Sequence, residues 1–157
     1  MALQIHRLGL QHKNEVLRVF NSWSSKQKSA RGLFLSEEDL VSALKSCELW
    51  GEWGLSEGRV EGFLWLKANS QAIEIICLLV ARDEIRRGLG GSLIQGVLDL
   101  ARDKGVFEVW LEVSSKNISA RNFYEKWGFA SSGVRKRYYR DGADAINMSK
   151  SLRSIEP

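Results

Sequence analysis

The sequence predicts an α/β fold: one domain, residues 1–157, built around a mixed sheet of six or seven strands. Three observations predict it. Apolar runs of strand length alternate with segments of helical periodicity, turn residues join neighbouring runs as in hairpins, and glycines separate a long apolar run from a helix. The order β-α-α-β-β-β-α-β-α-β-β combines hairpins with crossover connections, as a mixed sheet requires.

The first part of the chain predicts a strand and two helices. Residues 4–8 have strand character, and residues 12–23 carry apolar side chains at helical spacing. The polar residues 24–31 predict a loop. Residues 36–39 (Ser-Glu-Glu-Asp) resemble a capping box with Asp in place of Glu or Gln, so a helix is expected from there to Lys45.

The middle of the chain predicts three consecutive strands, at residues 48–56, 60–67 and 73–80. Residues 57–59 (Glu-Gly-Arg) supply a hairpin turn between the first two. The third run is apolar almost throughout, which is typical of a buried strand.

The last part alternates helices and strands. Apolar residues from Leu89 to Ala101 repeat at helical spacing, and Gly105 suits the C-terminal end of that helix. A strand at residues 106–113, a helix at 118–127 ended by Gly128, and a hairpin of 129–139 with 145–152 around Asp141 and Gly142 complete the predicted order.

Composition excludes several classes of protein. The net charge is +4, but the basic residues are scattered apart from Arg86-Arg87 and the segment 135–140, and no nucleic-acid recognition motif accompanies them. We therefore expect no direct nucleic-acid binding. No apolar stretch approaches the roughly 20 residues of a membrane span, and residues 1–6 do not resemble a secretory signal. A cytoplasmic protein without a membrane partner is expected.

Histidines and cysteines are too few for several kinds of site. His6 and His12 are the only histidines, so neither a Ser-His-Asp triad nor a histidine-based metal site is expected, and we predict no metal. Cys47 and Cys77 cannot form a disulfide framework, which fits a reducing compartment.

The segment 80–93 is the most informative motif. Arg86 and Arg87 precede glycines at 88, 90 and 91, at the junction between a predicted strand and a predicted helix. Glycines let the backbone approach an anion closely, and a helix N-terminus adds N–H groups and the positive end of its dipole. The segment therefore predicts a pyrophosphate site. It lacks the Lys-Ser/Thr of a Walker loop and the third glycine of a Rossmann loop.

Three segments together resemble one family. Residues 86–91 resemble R/Q-x-x-G-x-G/A, the pyrophosphate loop of acetyl-coenzyme A-dependent N-acetyltransferases, the GNAT superfamily. Residues 111–129 resemble the pattern L-E-V-x(3)-N-x(2)-A-x(3)-Y-x(3)-G-F of protein N-terminal acetyltransferases, especially the bacterial ribosomal-protein-alanine acetyltransferases. Residues 137–148 resemble their Y-Y-x-D-G-E-D-A-x-x-M hairpin, with Ala143 where Glu is usual. The resemblance implies a strongly twisted sheet with helices on both faces.

The resemblance also implies acetyl-coenzyme A as co-substrate and indicates residues that bind it. A bulge is expected to splay the strand at 73–80 from its neighbour, so that the backbone of Leu78, Leu79 and Val80 meets pantetheine, with the Leu79 N–H polarising the acetyl carbonyl. Asn117 is expected to cap the next helix and to contact pantetheine. The residues expected on the pyrophosphate are Arg86, Arg87, Gly88, Leu89, Gly90 and Gly91.

Two residues are candidates for proton transfer by the same resemblance. Glu112 would take the proton of the acceptor amine, and Tyr124 would donate one to the departing thiolate. The residues alone leave plainer interpretations open. Glu112 can be a surface carboxylate on an amphipathic strand. Tyr124 can be a packed aromatic, although Phe123 and Trp127, four residues apart, form the expected core stripe of that helix.

The acceptor side is predicted from the final hairpin. Tyr138 and Tyr139 are expected on opposite faces of a strand, one lining the acceptor slot and the other packing. Residues 135–137 (Arg-Lys-Arg) are expected to be a solvated face. Three tryptophans are expected in the core, with the one nearest the acceptor slot left open: Trp50, Trp53 and Trp65.

Three functions are weighed. The resemblance favours transfer of an acetyl group to the N-terminal α-amine of a protein, with a ribosomal protein beginning in Ala as the expected acceptor. A GNAT enzyme acting on a small-molecule amine is the second. The third is a non-catalytic acyl-coenzyme A-binding module, against which the presence of both Glu112 and Tyr124 argues.

Overall fold

The computed structural model describes residues 4–30, 32–53, 59–82 and 88–153. Within these ranges the chain forms seven strands and five α-helices. The strands are β1 (His6–Arg7), β2 (Leu49–Trp53), β3 (Val60–Ala68), β4 (Ala72–Val80), β5 (Glu108–Ser114), β6 (Ala130–Arg135) and β7 (Ala145–Ser151). The helices are α1 (Lys13–Asn21), α2 (Ser25–Ala30), α3 (Glu37–Lys45), α4 (Leu89–Asp103) and α5 (Ile118–Lys126).

The strands form one sheet in the order β1-β2-β3-β4-β5-β7-β6. Neighbouring strands run antiparallel except β4 and β5, which are parallel. Parallel neighbours need a crossover connection, and α4 supplies it. The predicted mixed α/β sheet is therefore confirmed, and the glycines lie at the N-terminus of the crossover helix, with Gly88 as its N-cap and Gly90 and Gly91 in its first turn.

Helices cover both faces of the sheet. On one face, Val19 of α1 and Leu40 of α3 belong to a buried cluster with Leu79 of β4. On the other face, Val97 of α4 is buried in a second cluster with Leu111 of β5. Successive residues of a strand point to opposite faces, so a strand covered on both sides is largely apolar, as the sequence of β4 is apart from Glu74.

A capping box begins α3 as predicted. The backbone N–H of Ser36 donates to Asp39 Oδ2 at 2.7 Å, and the Asp39 N–H donates to Ser36 Oγ at 3.1 Å. The hydrogen bonds from the Ser36 backbone and side chain lower the pKa of the Asp39 carboxyl. The helix thus satisfies two of its otherwise unpaired N-terminal groups.

The segment predicted as a loop at residues 24–31 contains α2, so that prediction is wrong. The Ser24 N–H donates to Gln27 Oε1 at 2.9 Å, and the Gln27 N–H donates to Ser24 Oγ at 3.3 Å. Ser-x-x-Gln is itself a capping box, which overrides the polar composition of the segment. Of the predicted hairpin turn at 57–59, residues 57 and 58 lie outside the described residues.

The strand predicted to reach Tyr139 ends at Arg135. Arg137 has a φ of +50°, a left-handed conformation that no strand accommodates. Its N–H donates to Asp144 Oδ1 at 2.9 Å, and the Tyr139 N–H donates to the Ala143 carbonyl at 3.1 Å. Tyr138 and Tyr139 therefore lie in the loop between β6 and β7 rather than on a strand.

In the ranges that the structure describes, no helix is both long and apolar enough to cross a membrane.

Candidate active site

A cleft opens where β4 and β5 separate. Their parallel pairing covers residues 72–75 of β4 and 108–111 of β5. The register of β4 against β3 shifts between Trp65 and Leu66, which leaves Ile76 as an extra residue. Such a bulge bends a strand and strengthens its local twist. The bulge predicted for this strand is present, and the cleft beyond it has a volume of about 1010 Å³.

One end of the cleft is the N-terminus of α4. Gly88 is its N-cap residue with a φ of +80°, and Leu89, Gly90 and Gly91 also line the cleft. A Cβ atom at Gly91 would lie 2.9 Å from the ring of Trp127, so this glycine permits close packing of α5 on α4. Gly88 is thus needed for its positive φ, and Gly91 for the close approach of the Trp127 ring.

Arg86 and Arg87 lie outside the described residues. The motif also departs from the family pattern in register. When Gly88 and Gly90 are matched to the two glycines of R/Q-x-x-G-x-G/A, the first position falls at Ile85. The arginines are therefore one and two positions later than the pattern requires, and their predicted contact with pyrophosphate stays a prediction.

The β4 backbone presents alternate residues to the cleft. The Ala81 N–H donates to a β3 carbonyl at 2.8 Å, and in the same register Leu79 lies opposite Phe63. Hydrogen-bonded pairs alternate along an antiparallel ladder, so the Leu79 N–H also points to β3. This contradicts its predicted role as the donor to the acetyl carbonyl. The N–H groups that turn toward the cleft are those of Leu78 and Val80.

The Val80 carbonyl also points away from β3. It accepts a hydrogen bond of 2.9 Å from Nε1 of Trp23, a buried residue just beyond the end of α1. Trp23 lines the cleft as well. Trp23 was not predicted as a site residue. It lies at the end of an amphipathic helix, and its hydrogen-bond partner is 57 residues away in the sequence.

Asn117 performs the predicted capping role. Its Oδ1 accepts from the Ala120 N–H at 3.1 Å at the start of α5, and Asn117 and Ala120 both line the cleft. The capping interaction fixes this side chain in the wall of the cleft.

Tyr124 is a packed aromatic that also lines the cleft. It is 8% exposed, and its ring contacts those of Phe123 and Phe129 edge-on at 5.2 and 5.7 Å. Burial and then the nearby Cys77 thiol raise the pKa of the phenol. Tyr124 is the one buried residue of α5, all of which is described, while Phe123 and Trp127 are partly buried and pack against the core, as predicted. Phe123 also packs toward Gly90 of α4. The role of Tyr124 as a proton donor stays a prediction.

Glu112 lies on β5 directly after the last residue paired with β4, and its side chain is 15% exposed. Its Oε1 is 3.3 Å from Arg135 Nε. Glu74 of β4 also lines the cleft. Burial and then the charge of Glu112 raise the pKa of Glu74, while Lys67 and Arg135 lower it.

Glu74 was not predicted as a site residue. Glu74 lies opposite Trp110, two residues before Glu112, so both carboxyl groups share one sheet face. A charged residue inside an otherwise apolar strand is the sequence signal that could have identified it.

Two loops also contribute residues to the cleft. Tyr138, Tyr139 and Arg140 come from the β6–β7 loop, and residues 32–35 come from the loop after α2. The Tyr139 ring lies 5.8 Å from that of Phe34, so the loops meet over the cleft. Burial and then the charge of Glu112 raise the pKa of Tyr139 to about 12.

Tyr138 and Tyr139 do not point to opposite faces, and that prediction is wrong. Their rings contact each other at 5.1 Å with an interplanar angle of 85°, and both line the cleft. Because Arg137 is left-handed, the alternation that holds along a strand no longer applies two residues later.

The basic segment and two of the tryptophans agree with expectation. Arg135, Lys136 and Arg137 are all exposed; Lys136 and Arg137 contact Asp144, and Arg135 also contacts Glu112. Trp50 and Trp65 are partly buried and pack against the core. Trp50 lies under Arg7, and Trp65 donates from Nε1 to Glu48; neither is among the residues found to line the cleft. The side chain of Trp53 is not described.

Comparison with known proteins identifies the family. Residues 14–129 match the model of the acetyltransferase (GNAT) family. This match covers most of the sequence, and the chain therefore belongs to the GNAT acetyltransferase family.

Individual relatives match over shorter stretches. A mycothiol acetyltransferase from Clavibacter sepedonicus is 36% identical over 85 residues, which are 54% of this chain and 28% of that protein. The ribosomal protein bS18-alanine N-acetyltransferase of Escherichia coli K12 is 33% identical over 95 residues, 59% of this chain and 64% of that one. The matches thus span from about a quarter to less than two thirds of these relatives.

Solved structures share the fold over nearly the whole chain. The ribosomal-protein-S18-alanine N-acetyltransferase from Escherichia coli has a TM-score of 0.78 at 23% identity, covering 98% of this chain and 96% of that one. PaiA N-acetyltransferase from Thermoplasma acidophilum, solved in complex with coenzyme A, has a TM-score of 0.73 at 19% identity, covering 97% and 100%. At these identities the likeness concerns the fold alone.

Proposed function

We propose that this protein transfers an acetyl group from acetyl-coenzyme A to the N-terminal α-amine of a protein. A ribosomal protein beginning in Ala is the first acceptor to test. The observation that carries the proposal is the placement of Glu112 and Tyr124 along one cleft, with a glycine-rich helix N-terminus at one end and a pair of tyrosines at the other. A cytoplasmic site of action is part of the same proposal.

The donor end of the cleft fits coenzyme A. Gly88 begins α4 with a positive φ, and the first turn of α4 carries backbone N–H groups that a pyrophosphate can accept from. The backbone of Leu78 and Val80 can pair with an extended pantetheine arm, as an added strand does. The coenzyme A bound to the structural neighbour PaiA supports this assignment.

The chemistry needs two proton transfers. As the amine nitrogen forms a bond to the acetyl carbon and the carbon–sulfur bond breaks, the nitrogen loses a proton and the departing thiolate gains one. Glu112, on the acceptor side, can take the proton that the nitrogen loses. Tyr124 can supply the second, because its raised pKa keeps the phenol protonated at neutral pH. A backbone N–H of Leu78 or Val80 can stabilise the negative charge on the carbonyl oxygen.

The acceptor side favours an extended chain end. The loops carrying Phe34 and Tyr139 meet over the cleft, which restricts entry to a narrow group. An α-amine has an unperturbed pKa of roughly 7.7–8, whereas that of a lysine ε-amine is roughly 10.4, so the α-amine costs less to deprotonate at neutral pH. The relative named for ribosomal protein bS18-alanine supports a protein acceptor.

Acetylation of a small-molecule amine is the second candidate. The observation that favours it is the relative named for mycothiol rather than for a protein. The pair Glu74 and Glu112 also offers negative charge to a cationic small amine. A non-catalytic acyl-coenzyme A-binding module is the third, and the joint presence of Glu112 and Tyr124 in the cleft argues against it.

A competition between acceptors separates the three. Acetyl-coenzyme A is supplied with a peptide that starts with Ala and has no lysine, a peptide with a blocked N-terminus and one internal lysine, or spermidine. The proposal expects acceptor-dependent release of coenzyme A with the first peptide. Preference for spermidine would favour the small-amine enzyme, and donor binding without acceptor-dependent turnover by any of them would favour the binding module.

A further inference from the structure

Arg135, at the end of β6, contacts two groups of the acceptor site at once. Its Nε is 3.3 Å from Oε1 of Glu112, and its guanidinium carbon is 5.4 Å from the centroid of the Tyr138 ring. The side chain thus bridges the carboxylate proposed as the base and one of the two tyrosines at the acceptor end. Nothing in the composition of the Arg-Lys-Arg segment distinguishes Arg135 from its two basic neighbours.

The sheet register explains how Arg135 reaches Glu112. Strand β7 lies between β5 and β6, with Ala145 opposite Arg135 and Asn147 opposite Glu112. Neighbouring strands are about 4.8 Å apart, so β5 and β6 lie about 9.6 Å apart, a distance that the Arg135 and Glu112 side chains span together. Ala145 has a small side chain that leaves the path across β7 open. Gly133, the residue opposite Asn147 on β6, adds no side chain to that path.

The charges around Glu112 show why a cation matters there. Glu74 on β4 is close enough for the charge of Glu112 to raise its pKa, and Tyr139 in the β6–β7 loop is affected in the same way. Lys67 on β3 and Arg135 on β6 are the cations that oppose the rise at Glu74. Of these two, Arg135 is the one in an ion pair with Glu112. Two neighbouring carboxylates repel each other unless a cation compensates them.

We propose that Arg135 is a positioning residue of the acceptor site, which holds the Glu112 carboxylate in place beside Glu74 and links it to Tyr138. The inference rests on the proposed function, because it requires Glu112 to accept a proton. Arg135 acts through Glu112 and Tyr138 and takes no proton itself. An arginine suits this role because its charge is permanent and its flat guanidinium can stack on an aromatic ring.

The contact contributes little to folding, so it can be tested by substitution. Arg135 is 57% exposed, and ion pairs this accessible to water have small effects on stability. Arg135→Gln removes the charge, and Arg135→Lys restores it without the planar group. Two other substitutions serve as matched controls for Arg135→Gln. Lys136→Gln removes one positive charge next door, where Lys136 pairs with Asp144, and Arg102→Gln breaks an arginine ion pair of 54% exposure on α4.

The test measures kcat and both KM values for an Ala-starting peptide over the neutral pH range. In Arg135→Gln we expect kcat to fall about tenfold, a part of what general-base catalysis supplies, with the KM for acetyl-coenzyme A unchanged. Arg135→Lys should restore part of the lost kcat, and both controls should match wild type.

Two outcomes separate this inference from the function on which it rests. If Glu112→Gln is impaired but Arg135→Gln has wild-type kcat, or Lys136→Gln lowers kcat equally, the role of Arg135 is refuted while the base remains. If Glu112→Gln retains wild-type turnover, the proposed base itself is refuted. A fall in the kcat of Arg135→Gln that is matched by a rise in the KM for acetyl-coenzyme A would also contradict the proposal.

Discussion

The indole of Trp23 is hydrogen-bonded to the carbonyl of Val80, with 2.9 Å between Nε1 and the oxygen. This bond joins the end of α1 to the last residue of β4, at the point where the β4 backbone faces the cleft. This contact between residues far apart in sequence brings the end of the first helix to the wall of the cleft.

Trp23→Phe keeps a ring in the core but removes this donor. We expect the free energy of unfolding to fall by about 1 kcal/mol, since the partly buried carbonyl loses its partner, and the KM for acetyl-coenzyme A to rise because the end of β4 is less firmly held. Trp65→Phe is the matched control, because Trp65 also donates from Nε1, at 2.6 Å to Glu48, but away from the cleft. An equal KM in both variants would contradict the role of Trp23 in the donor site.

Gly88 can be compared directly with a second glycine. Gly88 and Gly105 have φ values of +80° and +66°, and a Cβ atom at either would meet no atom within 4 Å. Gly88→Ala and Gly105→Ala should therefore each lower the free energy of unfolding by about 1 kcal/mol, because alanine is strained in the left-handed backbone conformation. Only Gly88→Ala should raise the KM for acetyl-coenzyme A. Equal donor kinetics in the two variants would exclude Gly88 from the pyrophosphate site.

Glu112→Gln preserves the shape of the side chain and removes the base. We expect kcat to fall by about 10²-fold or more at neutral pH with donor binding unchanged. The deficit should shrink above roughly pH 8, because the acceptor α-amine then loses its proton without help. Glu108→Gln, at the exposed start of the same strand, is the control. A deficit that is constant with pH would mean that Glu112 positions the acceptor instead of deprotonating it.

Tyr124→Phe removes the proposed proton donor and leaves the aromatic packing. Turnover should fall about tenfold while the KM for acetyl-coenzyme A stays the same. Burial raises the pKa of Tyr124, so the folded state favours the protonated phenol. The contribution of the buried phenol to stability is therefore complete below about pH 10, the pKa of tyrosine in the unfolded chain. It declines as the pH rises from there toward the higher pKa of the folded state. Wild-type kcat in Tyr124→Phe would make this residue a core aromatic only.

The elements that could be predicted are those whose signals are local. The capping box at Ser36 and Asp39 is a pattern within four residues, and the apolar sequence of β4 reflects cover on both faces. Helix α2 was missed although Ser24 and Gln27 form the same kind of capping box, because the polar composition of the segment was given more weight. Glu112, Asn117 and Tyr124, which the family motif indicates, all line the cleft.

The rest depends on contacts between distant segments. Phe34 reaches the cleft only because its loop meets Tyr139, more than a hundred positions later in the chain. The pairing of Arg135 with Glu112 needs β7 between their strands, and the end of β6 depends on the left-handed Arg137. The direction of the Leu79 N–H follows from the sheet register, which periodicity does not determine.

The most direct test of the central claim uses one peptide with two amines. The peptide begins with Ala, has a free N-terminus and contains one internal lysine, and the site of acetylation is located by fragmentation mass spectrometry. If the proposed function holds, we expect a single acetyl group on the α-amine of the first residue. The Glu112→Gln variant should give much less acetylated peptide. Acetyl groups on the lysine ε-amine, with the N-terminus left free, would contradict it.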